Sequence, residues 1–173
     1  MNTNQVLTLL KIASWIIFVG FAIKAGAMLV SFSISLLINP DASKDLYLGL
    51  DLHDIYQYSQ LHYISMGIFI ILIAALKAYL LYWVIKIFSK INIVHPFSQE
   101  VVKWLMAMSN IALQIGVLVL ISTSYSHSLT EKGLNFSYDG GDAEFLLLAG
   151  ILFIVAHIFK KGIEIQSENE LTV

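Results

Sequence analysis

Apolar residues run through this chain in four long blocks, with no polar face recurring at helical spacing. The first block is Ile12 to Ile38, and its only charge is Lys24. The second is His62 to Phe88, with Lys77 and Lys86 inside it. The third, Leu105 to Tyr125, and the fourth, Phe145 to Phe159, hold no charge. A helix that is apolar all round belongs in a protein core or in lipid, and about 20 such residues cross a bilayer. The pattern predicts an all-α membrane protein, a four-helix bundle with transmembrane spans at about 12–38, 62–86, 103–125 and 143–160 and a tail over 161–173. Helix three has a readable start: Pro96 stops what precedes it, Ser98 caps, and Glu100 stands in the first turn. The stretch from Val84 to Val94 before it reads as a segment along the membrane surface.

The two loops joining spans one to two and three to four alternate. Leu46, Leu48, Leu50 and Leu52 are interleaved with Tyr47, Gly49 and Asp51, and Leu134, Phe136 and Tyr138 with Asn135 and Ser137. The turn-like Asp139-Gly140-Gly141-Asp142 follows the second set. Alternation is a strand signal. One expectation is a small extracytoplasmic β-cap pairing the two loops; the other is an irregular loop whose apolar residues dip into the interface.

Composition agrees with lipid as the solvent. Of 173 residues 58% are hydrophobic and 13% charged, about half the charged share of a soluble domain, and the mean hydropathy is +0.78. The net charge of −2 and the absence of a basic patch argue against direct nucleic-acid binding. All basic residues are Lys, which removes the bidentate Arg fork for phosphate and carboxylate. There is no Cys, so disulfides, thiolate chemistry and Cys-based zinc sites are excluded. Ala25-Gly26-Ala27 has the form of a signal-peptidase site, but Met28 to Ile38 beyond it is as apolar as what precedes it, so an uncleaved span is expected.

Lys placement sets the expected orientation. Lys11, Lys86, Lys90, Lys103, Lys160 and Lys161 fall at one end of the spans, and only Lys44 and Lys132 fall at the other. The six-Lys end is expected in the cytoplasm, with both termini. Trp15, Tyr82, Trp83 and Trp104 gather at that same end, as an interfacial belt does.

A charge inside a span is read first as functional. At about 1.5 Å per residue, Lys24 lies roughly 13 Å beyond Trp15 and Lys77 roughly 9 Å before Trp83. Asn110 and Gln114 share a face of the third span at i, i+4, and His157 is near the inner end of the fourth. One reading joins Lys24, Lys77, Asn110, Gln114 and His157 in an inner-leaflet polar pocket for a lipid headgroup or another anion. The other has the lysines snorkelling to lipid phosphates while the amides hold helices together. His53, Asp54, His62 and His127, with Asp51 nearby, are the metal-ligating types at the opposite end, though their spacing matches no zinc motif. Ser59, His62 and Asp54 make a Ser-His-Asp trio without a nucleophile elbow, so no enzyme and no cofactor are expected. Gly20, Gly26, Gly67, Gly116, Ala149 and Gly150 are small enough to permit close helix contact. The tail carries Glu164, Glu168 and Glu170 among Ile163, Ile165, Leu171 and Val173, a pattern that suits either a solvated end or a docking segment.

Two short motifs carry a resemblance. His95-Pro96-Phe97-Ser98-Gln99-Glu100-Val101 and the finish Lys161-Gly162-Ile163-Glu164-Ile165-Gln166-Ser167-Glu168-Asn169-Glu170-Leu171-Thr172-Val173 resemble a bacterial four-span membrane family, domain of unknown function 2975. The four-block layout is similar over nearly the whole chain. The resemblance implies no catalytic residues, and it implies a frequent genetic neighbour, a small Cro-like helix-turn-helix regulator. The expected function is therefore a non-enzymatic regulatory or sensing membrane component that engages a cytoplasmic partner such as that DNA-binding regulator. The alternative is a lipid- or small-solute-binding transporter component.

Overall fold

The computed structural model describes residues 3–90, 98–136, 138 and 144–170. The chain forms α1 (Thr3–Leu37), a 3₁₀ turn at Pro40–Lys44, α2 (His53–Tyr58), α3 (Gln60–Lys90), α4 (Gln99–Glu131) and α5 (Glu144–Glu170). The four long helices are each long and apolar enough to cross a membrane. They pack in chain order, α1 on α3, α3 on α4 and α4 on α5. Among the described residues the backbone of α1 approaches neither α4 nor α5. The four helices therefore neighbour one another in chain order, while side chains of α3 also reach α5, as Lys77 does at Phe145.

All four helices outlast their apolar blocks. α5 continues as helix through residues 161–170, which had read as tail, and 84–90 belong to α3. The rest of the surface segment, 91–94, lies outside the described residues, as do His95-Pro96-Phe97, Asp139-Gly140-Gly141-Asp142 and Leu171-Thr172-Val173. At the start of α4 the Ser98 hydroxyl accepts from the Val101 amide at 3.3 Å, and Glu100 faces the positive end of the helix dipole. At its far end Gly133, at φ +86°, turns the chain out and donates its amide to Thr130 O at 2.9 Å.

The start of α1, the end of α3, the start of α4 and the end of α5 share one end, the base; the loops after α1 and α4 form the other, the cap. Contacts between neighbours fix the relative heights. Phe32 of α1 stacks on Tyr63 of α3, and His62 of α3 bonds Tyr125 of α4. Leu146, in the first turn of α5, lies against Gly116 in the middle of α4. Ser109 Oγ donates to Ala149 O at 2.9 Å, one step nearer the base. Counting along these antiparallel pairs puts Lys24, Gly116 and Glu144 at one height, with Lys77 about 9 Å nearer the base. Below that height four helices run side by side; above it there are three, covered by the cap.

No strand forms among the described residues, so the expected β-cap is corrected. The backbone groups a ladder would need are used locally. Leu48 (φ 51°) and Gly49 (φ 82°) reverse the first loop in two residues. Leu46 N bonds Leu50 O at 2.9 Å, and Leu52 N bonds Ser43 O at 2.9 Å. In the second loop Thr130 Oγ1 donates to Phe136 O at 2.8 Å and Ser126 Oγ accepts from Tyr138 N at 3.3 Å, so side chains of α4 take the strand positions. Most of the apolar half of the alternation still turns inward, Leu48 being the exposed exception. Leu46, Leu52 and Phe136 are buried in one core with Met28, Phe32, Ile55, Tyr63 and Leu129, and Tyr47, Leu50, Leu134 and Tyr138 pack around it.

Two further cores lie towards the base. Ile73, Leu80, Met108, Ile111, Ile115 and Val119 join α3 to α4, and Val101, Trp104, Leu105 and Ala156 join α4 to α5. Lys86 sets its ammonium 4.6 Å from the Trp83 ring and 5.2 Å from the Trp104 ring, a cation held between two indoles.

Candidate cap cavities and the intramembrane lysines

The last turns of α4 are polar because Thr123, Ser126, His127, Thr130 and Glu131 follow one another at helical spacing. With Phe136 and Tyr138 opposite, they line a cavity of about 450 Å³. His127 Nδ1 is 3.5 Å from Glu131 Oε1, both groups exposed. This wall offers hydroxyls, an imidazole and a carboxylate, a set suited to hydrogen bonding a small polar molecule.

Tyr138 also lines a second cavity, of about 350 Å³, with Lys24, Met28, Tyr47, Leu48, Gly49, Leu50 and Ile70. A third, of about 320 Å³, shares Lys24, Tyr47 and Leu48 with the second and continues over Ile17, Gly20 and Phe21. Lys24 is thus placed beneath the reversal of the first loop, on the cap side. Among the described residues no carboxylate pairs with it.

Among the described residues, Lys24 and Gln114 of the expected inner-leaflet pocket line different cavities. Lys77 leans the other way, its Nζ 5.0 Å from the centroid of Phe145 on α5. Gln114 lies in an apolar groove of about 430 Å³ between α3 and α4, with Leu72, Leu76, Leu113, Val117 and Leu118. Asn110 is exposed one turn nearer the base on α4. His157 is exposed on α5, where Nδ1–H donates to Phe153 O at 2.9 Å. Lys24 and Gln114 stand on α1 and α4, whose backbones do not approach one another among the described residues, so similar depth does not bring them together.

The metal-ligating types at the cap are also kept apart. His53 shares hydrogen bonds with Ser43 Oγ and Gln57 Nε2, each at 2.8 Å, and its amide donates to Asp51 Oδ1 at 2.7 Å. His62 bonds the Tyr125 hydroxyl and stacks on Tyr58. His127 has Glu131, and Asp54 stands in the first turn of α2. Among the described residues no three His, Asp or Glu converge as a metal ion requires. In the 3₁₀ turn, the hydrogen bond and charge of Lys44 hold the Asp41 carboxyl below its usual range.

At the base, Glu164 pairs with Lys161 at 2.9 Å and Glu168 is exposed on the same helix; the side chain of Glu170 lies outside the described residues. The lysine between Trp83 and Trp104 was missed in the sequence, where its one signal is the i, i+3 spacing of Trp83 and Lys86.

No curated protein and no solved structure matches the chain. Residues 39–173 match the family described as Protein of unknown function (DUF2975), a stretch that takes in both cap loops, α3, α4 and α5. The chain belongs to the DUF2975 family.

Proposed function

We propose that this chain is a non-enzymatic sensing component of a bacterial cytoplasmic membrane. It takes a small polar ligand at the cap and reports to a cytoplasmic partner through the base. The single observation behind this reading is α4. Its last turns line the polar cap cavity, and its lower half forms the seat of α5 through Gly116, Ser109 and the Trp104 core. A ligand that shifts α4 acts on a helix that carries α5 with it, and packed helices hold discrete arrangements. α5 then extends past Lys160 with Glu164 and Glu168 on its surface, an acidic helix suited to a basic partner such as a helix-turn-helix regulator. The orientation is supported by Lys11, Lys86, Lys90, Lys103, Lys160 and Lys161 at the base against Lys44 and Lys132 at the cap.

The test is co-purification from membranes of the full chain, and of a chain lacking residues 164–173, with a small Cro-like helix-turn-helix regulator of the kind the family resemblance implies. Retention by the full chain and loss on truncation are expected. Equal recovery with both, or with neither, overturns the reading. A reporter fused after the last residue is expected to be active only in the cytoplasm.

A further inference from the structure

We infer that Lys24 and the slot beside it bind an anionic phospholipid, the ammonium pairing with the headgroup phosphate and an acyl chain lying along α1. This rests on α1 and the first loop, and stands whether or not the cap senses a ligand. Three observations converge. First, Lys24 is an exposed cation in the apolar part of α1 with no carboxylate paired to it among the described residues; an unpaired ammonium there calls for an anion. Second, the two cavities that meet at Lys24 differ. The cap-side one offers Tyr47, Tyr138 and the loop backbone at Gly49; the other, over Ile17, Gly20 and Phe21, is apolar. Polar room above a cation and apolar room below it fit an amphiphile and not a free solute.

Third, the direction is right. Phe21, Gly20 and Ile17 are three, four and seven residues from Lys24, on one helix face and progressively nearer the base. The slot therefore descends about 10 Å from the charge. Lys24 stands at the height where α5 begins with the charged Glu144, so the layer crossed by four apolar helices ends at its level. Gly20 stands on the wall of the slot facing open space, where a Cβ would meet nothing within 4 Å and a longer side chain would project into the slot. Leu48, 88% exposed at the loop tip in a left-handed conformation that a leucine rarely adopts, shares the wall of the slot. An apolar tip held there by the turn is well placed to close over a lipid chain.

The experiment uses the full chain purified in a neutral detergent. The probes are dioleoylphosphatidylglycerol, dioleoylphosphatidylcholine and inorganic phosphate, read by native mass spectrometry and thermal shift. Phosphatidylglycerol is expected to be retained and to raise Tm, with phosphatidylcholine much weaker. Lys24→Gln is expected to weaken phosphatidylglycerol about fivefold or more, and Lys24→Arg to keep it. Gly20→Leu is expected to lose the lipid while its Tm in detergent alone stays near that of the wild type. Equal binding of the two lipids, or unchanged binding by Lys24→Gln or Gly20→Leu, overturns the proposal. Stabilisation by inorganic phosphate equal to that by phosphatidylglycerol overturns it in favour of a free-anion site. Should Lys24→Gln fail to accumulate, Gly20→Leu and Lys24→Arg decide by the same criteria.

Discussion

Phe32 of α1 lays its ring in the space a side chain on Gly67 of α3 would need. The contact continues to Tyr63, whose ring centroid is 5.1 Å from that of Phe32. Glycine is required at 67 because of what faces it. Gly67→Ala should destabilise the protein by about 1–3 kcal/mol, the usual cost of overpacking. Gly116→Ala should do the same against Leu146, whereas Gly26→Ala and Gly150→Ala meet nothing within 4 Å and should leave Tm unchanged or slightly raised. Thermal denaturation of the four variants in one detergent checks the ranking.

Ser35 and Tyr63 are hydrogen-bonded in the same fully buried region. The one Ser35 hydroxyl proton goes to Phe32 O at 2.7 Å, so the Tyr63 hydroxyl is the donor between the two side chains. Ser35→Ala strands a buried phenol and should cost about 1–3 kcal/mol. Tyr63→Phe leaves Ser35 still donating to Phe32 and should cost less. The double variant should fall well short of the sum, and a double-mutant cycle measures that coupling.

His62 and Tyr125 tie α3 to α4 just beneath the cap. Tyr125→Phe keeps the ring contacts with His62 and Phe69 but removes the hydroxyl. A loss of about 0.5–1.5 kcal/mol is expected. Amide exchange should quicken at the cap ends of both helices before it changes at the base.

Asp41 titrates below the ordinary carboxylate range because Lys44 donates to it at 2.6 Å. A carboxyl depressed on folding contributes stability above its unfolded value and loses it as pH falls through the folded value. Lys44→Met should move the Asp41 midpoint up towards the usual range. Carboxyl-carbon NMR reads this directly. Both groups are exposed, so little change in Tm should accompany it.

The four helices were legible in the chain because lipid demands about 20 apolar residues without backbone gaps, and that demand is written in one dimension. The Ser98 cap was legible for the same reason, since a cap is a relation between residues three apart. What needed the fold was every relation between helices. Gly20, Gly26, Gly67 and Gly116 are alike as letters, yet only Gly67 and Gly116 face a neighbour closely enough to need the missing Cβ. Lys24, Lys77 and Gln114 read as similar in depth, yet side-chain packing gives them three different surroundings. The alternating loops foretold the burial of Leu46, Leu52 and Phe136 at the cap but not the exposure of Leu48 or the lack of strands among the described residues, because α4 side chains and a two-residue reversal claim the backbone groups first. Sequence spacing determines which residues share a helix face, whereas helix neighbours and heights are set by packing across all four helices.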